Sequence, residues 1–160
     1  MEAQPLTKQY DLPCPVAKTL DIVGDRWTLL IVRDLLTQGP RKYVELAESL
    51  AGIAPNILSD RLKVLEAHGL VEREFYEQHP PRALYRLTPK GEDLRTVMQA
   101  LMQWGGKHLY DGVGLVHDAC GHDLKLVTMC EHCGEPVRAR NRRMKYRRRE
   151  AAAAVGRTVG

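Results

Sequence analysis

The chain has little from which to build a membrane span, a secreted scaffold or an enzyme site. Among its 160 residues no run of large aliphatic side chains exceeds the four from Leu29 to Val32, far short of the ~18 apolar residues that cross a bilayer. The opening MEAQPLTKQYDLP lacks the charged-then-apolar layout of a signal peptide. Four cysteines without such a leader point to a reducing compartment, the cytoplasm, where thiols bind metal or do redox chemistry instead of forming a disulfide framework. No phosphate-binding loop, no nucleophile–base pair and no His-Glu-x-x-His stretch occurs, so an enzyme is not expected. Aromatic residues are scarce (one Phe, two Trp, six Tyr) and none lies between 115 and 137. That stretch therefore offers no stacking surface of the kind single-stranded RNA readers use.

What is present is charge, unevenly placed. The net charge is +4. Residues 138 to 149, RARNRRMKYRRR, carry eight cations and no acid; without them the other residues hold 16 basic against 20 acidic side chains. The body is mildly acidic and the tail, 138–160, is basic and too charged to pack, which suits non-specific, salt-sensitive contact with duplex DNA.

Along the body, Val16, Leu20 and Val23 fall at helical spacing and Gly24 ends that helix. Asp25 is placed to cap a second helix over about Arg26 to Thr37, with Trp27, Leu30, Ile31, Leu35 and Leu36 toward a core. A third, Tyr43 to Leu50, is buried through Leu46 and Leu50, and Ala51-Gly52 links it tightly to a fourth. That fourth helix, about 54–68, has Pro55 in its first turn, Gly69 just past its end and Leu58, Leu62 and Leu65 on one stripe. Asn56, Ser59, Asp60 and Lys63 lie on the opposite, polar side. Leu70–Glu77 and Arg82–Leu87 alternate as strands and flank Gln78-His79-Pro80-Pro81, a hairpin over about 70–87. Thr88 then caps, with Pro89 following, a long helix to about His108. Its Leu94, Val97, Met98, Leu101, Met102 and Trp104 spread over so much of its circumference that packing against a second subunit is expected.

Helix, helix, short turn, helix and hairpin is a winged helix-turn-helix, mainly α with a small β-hairpin wing (α+β). In that motif the fourth helix here enters the major groove and the hairpin follows the backbone. The stretches CPVAKTLDIVGDRWTLLIVRDLL, GIAPNILSDRLKVLEAHGLVER and PPRALYRLTPKGEDL resemble the HxlR-type bacterial transcriptional regulators, relatives of the MarR regulators, over residues 12 to 110. The resemblance rests on ordered motifs, among them Gly-Asp-Arg-Trp at 24–27 and Leu-Thr-Pro-Lys-Gly at 87–91. It implies a homodimer binding a pseudo-palindromic double-stranded DNA operator, with no membrane involved. It places Pro55, Asn56 and Ser59 at base edges, Lys63 nearer the phosphates, Arg61 among the DNA-binding residues, and Arg82 of the wing on the backbone or minor groove. Asp60 either accepts from a cytosine amine or pairs with Arg61; the pair is the favoured expectation.

Beyond a leader (1–11) and this domain, residues 115–137 hold His117-Asp-Ala-Cys120-Gly and Cys130-Glu-His-Cys133-Gly. Each places two ligand-type residues three apart before a glycine. A small zinc-ribbon-like module is expected, with structural, tetrahedral Cys3His zinc on His117, Cys120, Cys130 and Cys133; His122 and His132 compete with His117 for the nitrogen position. Cys14, just before the first helix, is a candidate redox thiol, which leaves a thiol- or metal-responsive sensor as the alternative function.

Overall fold

The computed structural model describes residues 10–78 and 81–143. Residues 1–9 of the leader, His79 and Pro80 of the wing turn, and the tail beyond Arg143 lie outside the described residues. The order is α1 (Pro15–Val23), α2 (Thr28–Gln38), β1 (Arg41–Lys42), α3 (Tyr43–Ser49), α4 (Pro55–Ala67), β2 (Val71–Gln78), β3 (Pro81–Leu87), α5 (Pro89–Glu92) and α6 (Arg95–His108). The chain divides after Leu124 into two compact units. That division falls between the two Gly-ended turns, inside the stretch expected to form one module.

Helices α2, α3 and α4 enclose the core of the first unit. Ile31, Val32 and Leu35 from α2 meet Leu46 of α3, Leu50, and Leu58, Leu62 and Leu65 of α4, all nearly free of solvent. The stripe expected on α4 is therefore the buried one. At about 25 cal/mol per Å2 of apolar surface, each such leucine contributes roughly 1.5–3 kcal/mol. Asp34 is buried with them, held by Arg33 at 2.7 Å and by the Ser49 hydroxyl at 2.6 Å. It ties α2 to α3, and its place inside the core was not expected from the sequence.

The wing is three-stranded rather than a bare hairpin. β2 and β3 pair antiparallel from Val71↔Leu87 to Gln78↔Pro81, with an irregularity between Phe75 and Glu77. β1 joins the free edge of β3 through Arg41↔Tyr85 and Lys42↔Leu84, giving the order β1-β3-β2. The wing is thus fastened to the start of α3.

One expectation is corrected here. The helix after Thr88 is broken: Leu94 N–H turns back to Gly91 C=O, three residues away, and α6 begins only at Arg95. On α1 the buried positions are Ala17 and Val23, whereas Val16 and Leu20 are 66% and 44% exposed. Small Ala17, not the larger Val16 or Leu20, fits against the body. Among the described residues no helix is long and apolar enough to cross a membrane. The first part of the expected basic tail forms a 3-10 turn at Ala139–Asn141, where Asn141 Oδ1 accepts from Arg138 N–H at 2.6 Å.

Candidate nucleic-acid interface

Helix α4 is held at each end and in its middle. At its N-terminus the Tyr43 hydroxyl of α3 donates to Pro55 C=O at 2.8 Å and accepts from Ser59 Oγ at 3.3 Å. At its C-terminus the chain turns through Gly69, whose φ of +65° suits a residue without a side chain. There the Thr88-Pro-Lys-Gly segment closes over it. Thr88 Oγ1 donates to Gly69 C=O at 2.7 Å, Lys90 Nζ to His68 C=O at 2.7 Å, and Thr88 N–H to Leu70 C=O at 3.0 Å. The same hydroxyl of Thr88 accepts from Gly91 N–H at 3.2 Å, which is the cap expected for the following helix.

In the middle, Arg61 turns inward. Its side chain is 11% exposed and lies 3.6 Å from Asp25 Oδ2. Asp25 also accepts Trp27 N–H at 2.8 Å in the turn before α2; the expected cap is corrected, since α2 begins at Thr28 with Trp27 as its N-cap and no side-chain cap bond. One carboxylate therefore holds the turn that leads into α2 and pairs with a buried guanidinium of α4. This gives the Gly-Asp-Arg-Trp and Ser-Asp-Arg motifs a shared physical reason. It also corrects the favoured Asp60–Arg61 pair. Asp60 lies 3.8 Å from Lys63, one helical turn on, because Arg61 faces the core side of the helix while Asp60 and Lys63 share the outer side. Glu66 completes the framing through an ion pair with Arg73 of β2.

The outer side presents what the sequence placed there. Pro55, Asn56 and Lys63 are exposed, and Ser59 and Asp60 are half-buried. The first turn carries no side-chain cap, since Ala54 precedes Pro55. Its N–H groups and the positive end of the helix dipole are thereby left for an anion. Arg82 is exposed on β3, beside the wing turn. The structure gathers Pro55, Asn56, Ser59 and Lys63 on one face, puts Arg82 on the wing, and takes Arg61 away from that face. Sequence reasoning missed Tyr43. The only signal available was its position at the start of α3, one residue after a Lys.

The thiol-rich turns are built alike. In the first, Cys120 N–H and Gly121 N–H donate to His117 C=O, Gly121 has φ +68°, and His117 Nδ1 lies 3.2 Å from Cys120 Sγ. In the second, Gly134 N–H donates to Cys130 C=O at 2.8 Å and Gly134 has φ +70°. The backbone N–H of Cys133, then that of His132, then the Cys133 thiol hold the Cys130 thiol below its ordinary pKa. Each turn thus fits a two-ligand arm for a thiophilic cation, with the left-handed glycine letting backbone N–H groups approach sulfur. Among the described residues no three His, Cys, Asp or Glu side chains are gathered as one set around a metal position. Cys14 is exposed and ends the extended lead-in to α1.

The chain matches the family described as HxlR-like helix-turn-helix over residues 22–112. An HTH-type transcriptional regulator of Mycobacterium tuberculosis, itself uncharacterised, is 42% identical over 130 residues, covering 79% of this chain and 81% of that protein. Among solved structures, the candidate transcription factor PA1607 aligns with a TM-score of 0.72 and 35% identity, over 84% of this chain and 96% of that one. The redox regulator HypR in its oxidised form aligns with a TM-score of 0.53 and 33% identity, over 59% and 97%. With its helix-turn-helix, its three-stranded wing and these relatives, the chain belongs to the HxlR-like helix-turn-helix family and is an HTH-type transcriptional regulator, not an enzyme.

Proposed function

We propose that the protein binds a pseudo-palindromic double-stranded DNA operator as a homodimer. Helix α4 lies in the major groove and the wing follows the phosphate backbone. The observation that carries this is α4 itself. It is fixed at both ends and through Arg61, yet its Asn56-bearing face is left open. A reading element needs such rigidity, because base contacts discriminate only when their donors are held in register. Asn56 suits the two-point pattern of adenine, Ser59 a single base-edge bond, and Lys63 and Arg82 the phosphates. Arg61 contributes by fixing α4 from behind.

Support for the dimer comes from α6. Val97, Leu101 and Trp104 form one stripe along it and are 40%, 46% and 57% exposed, more apolar surface than a lone helix leaves in water without a partner. Reading a pseudo-palindrome requires such a dimer to present its two α4 helices to half-sites about 34 Å apart, one turn of DNA.

The test is fluorescence anisotropy on a duplex that the wild-type protein selects from a random-sequence pool, against a scrambled duplex. Asn56→Ala with Ser59→Ala should lower the preference for the selected duplex by about 10- to 100-fold, from roughly 1–3 kcal/mol for the lost two-point contact of Asn56, the single Ser59 bond adding little. Affinity for the scrambled duplex should change little. An undiminished preference in the double variant would sink the reading.

Structural zinc is proposed for the two Gly-ended turns, on His117, Cys120, Cys130 and Cys133. All four positions would be filled by protein, so the ion would hold the turns together and open no catalytic site. The His117–Cys120 approach supports His117 over His122 and His132 as the nitrogen ligand.

A second reading, a thiol-responsive regulator, draws on the exposure of Cys14 at the entrance to α1 and on the likeness to HypR. It expects mild peroxide to weaken operator binding by the wild type and to leave Cys14→Ser unaffected. Equal responses of the two proteins would remove it.

A further inference from the structure

The densest charge in the chain lies past the second Gly-ended turn. Residues 138 to 149 hold eight cations and no acid, against 16 basic and 20 acidic side chains elsewhere. The structure describes this run as far as Arg143. The backbone leading into it is fixed: Cys130 N–H donates to Glu135 C=O at 2.9 Å, Val137 N–H donates to Thr128 C=O at 2.7 Å, and Met129 and Pro136 form a β-bridge. One turn follows, Ala139–Asn141. It is closed by Asn141 N–H on Arg138 C=O at 3.0 Å and by Arg138 N–H on Asn141 Oδ1 at 2.6 Å. Arg138, Arg140, Arg142 and Arg143 stand exposed in and around that turn. Among the described residues none of the four has an ion pair.

We propose that residues 138 to 149 form an arm that grips the phosphate backbone of duplex DNA, adding affinity without sequence preference. Crowding four guanidinium groups on one turn without a counter-charge costs electrostatic energy, and a polyanion removes that cost. Arginine suits this partner because its planar fork meets two phosphate oxygens at once. The side chains also decide between gripping and reading. Asn141 is the one amide of the arm, and its oxygen is already taken by Arg138 N–H, so it cannot offer adenine the two-point pattern. An arginine can also meet guanine, but a three-residue turn is too short to fill a major groove as a recognition helix does.

The choice of duplex DNA over another polyanion rests on the proposed role of α4. Once the winged helix has bound, the arm meets phosphates at the effective concentration of a tethered partner and no longer at that of free DNA. The rest of the chain needs such help. Without the arm it carries more acids than bases, and phosphate neutralisation by Lys and Arg supplies most of the affinity that does not depend on sequence. The labour is thus divided: α4 discriminates, and the arm holds.

The experiment uses the full chain with Arg138→Gln, Arg140→Gln, Arg142→Gln and Arg143→Gln combined, and a counterpart with Arg→Lys at the same positions. Both should fold, because the four side chains are exposed and the turn is closed by backbone groups and Asn141. Affinity is measured against salt on the selected and scrambled duplexes. At about 0.9 per phosphate contact, the Gln variant should flatten the log–log salt slope by roughly three and bind both duplexes at least about tenfold more weakly near 0.1 M salt. Its preference between them should stay within about twofold of wild type, since phosphate contacts carry no sequence information. The Lys variant should regain the slope. On a selected duplex extended at both ends, wild type should protect backbone positions from hydroxyl radical that the Gln variant leaves open. An unchanged slope, identical footprints, or a preference lost together with affinity overturns the arm. A greater loss on an RNA duplex of the same length than on DNA overturns DNA as its partner. A wild type that shows no sequence preference, yet whose slope and footprint still depend on the four arginines, keeps the arm and loses only the reading of α4.

Discussion

Gly91→Ala is expected to cost about 3 kcal/mol of folding stability, although it changes one hydrogen to a methyl in a helix. Gly91 has no left-handed φ, so no backbone strain is at issue, and helix propensity alone favours Ala by about 1 kcal/mol. Space decides the sign. A Cβ at this position would stand 2.1 Å from Leu70 O and 2.9 Å from Leu87 Cδ2. Leu87 is able to rotate away, but a backbone carbonyl is not. Leu70 C=O also accepts Thr88 N–H, so moving it loosens the closure over the C-terminus of α4. Overpacking of roughly 1–3 kcal/mol and one or two hydrogen bonds of about 1 kcal/mol each outweigh the propensity gain. For a domain of this size the melting temperature should fall by roughly 12 °C or more. The seam is also the rear support of the reading helix, so operator preference should fall before the fold is lost. A melting temperature at or above the wild-type value would show that Leu70 and Leu87 yield without cost.

That prediction rests on packing that no sequence pattern displays, and the same division runs through the rest of the molecule. Periodicity identified α4 because Leu58, Leu62 and Leu65 repeat at helical spacing and Pro55 and Gly69 mark its ends; all of that is local chemistry. It also gave α1 and its end at Gly24, but periodicity does not show which side is covered: of Val16, Leu20 and Val23 only Val23 is buried, with the small Ala17. β1 was invisible because two residues show no alternation, and its strand character comes entirely from the free edge of β3. The break before α6 depends on Leu94 N–H choosing a carbonyl three residues back, a matter of tertiary fit at Gly91.

The interface divides in the same way. Asn56 and Lys63 were legible because exposure follows from helical phase once the buried stripe is known. Arg61 was not. Charge and phase together suggested a partner in Asp60, whereas the partner is Asp25, 36 residues earlier in the chain. Tyr43 escaped for the same reason, since its hydroxyl acts 12 and 16 residues away. What a sequence conceals here is the set of long-range polar contacts that turn an ordinary amphipathic helix into a fixed one.

Removal of zinc should have the largest effect of all, confined to the Gly-ended turns. Val116, Leu124, Leu126, Val127 and Met129 are all at least 40% exposed, so the stretch around them buries too little apolar surface to offset its conformational entropy. A Cys3His zinc site contributes an apparent ~10–16 kcal/mol near neutral pH in zinc-finger peptides, far more than any side chain of this stretch provides. The full chain purified without chelator should carry about one zinc, measured by atomic emission. A strong chelator, or Cys130→Ser, should then abolish amide-exchange protection across 115–137 while Leu58, Leu62 and Leu65 in the winged helix keep theirs. Acid should act as the chelator does, since thiol and imidazole must each shed a proton to bind. A metal-free chain with the same protection across 115–137 would refute the zinc proposal. Those turns would then stand on backbone hydrogen bonds alone, the Gly121 and Gly134 N–H contacts to His117 and Cys130 among them. At about 1 kcal/mol apiece, a handful of such bonds on so exposed a segment falls well short of the entropy of ordering it, and that imbalance is the argument for a metal.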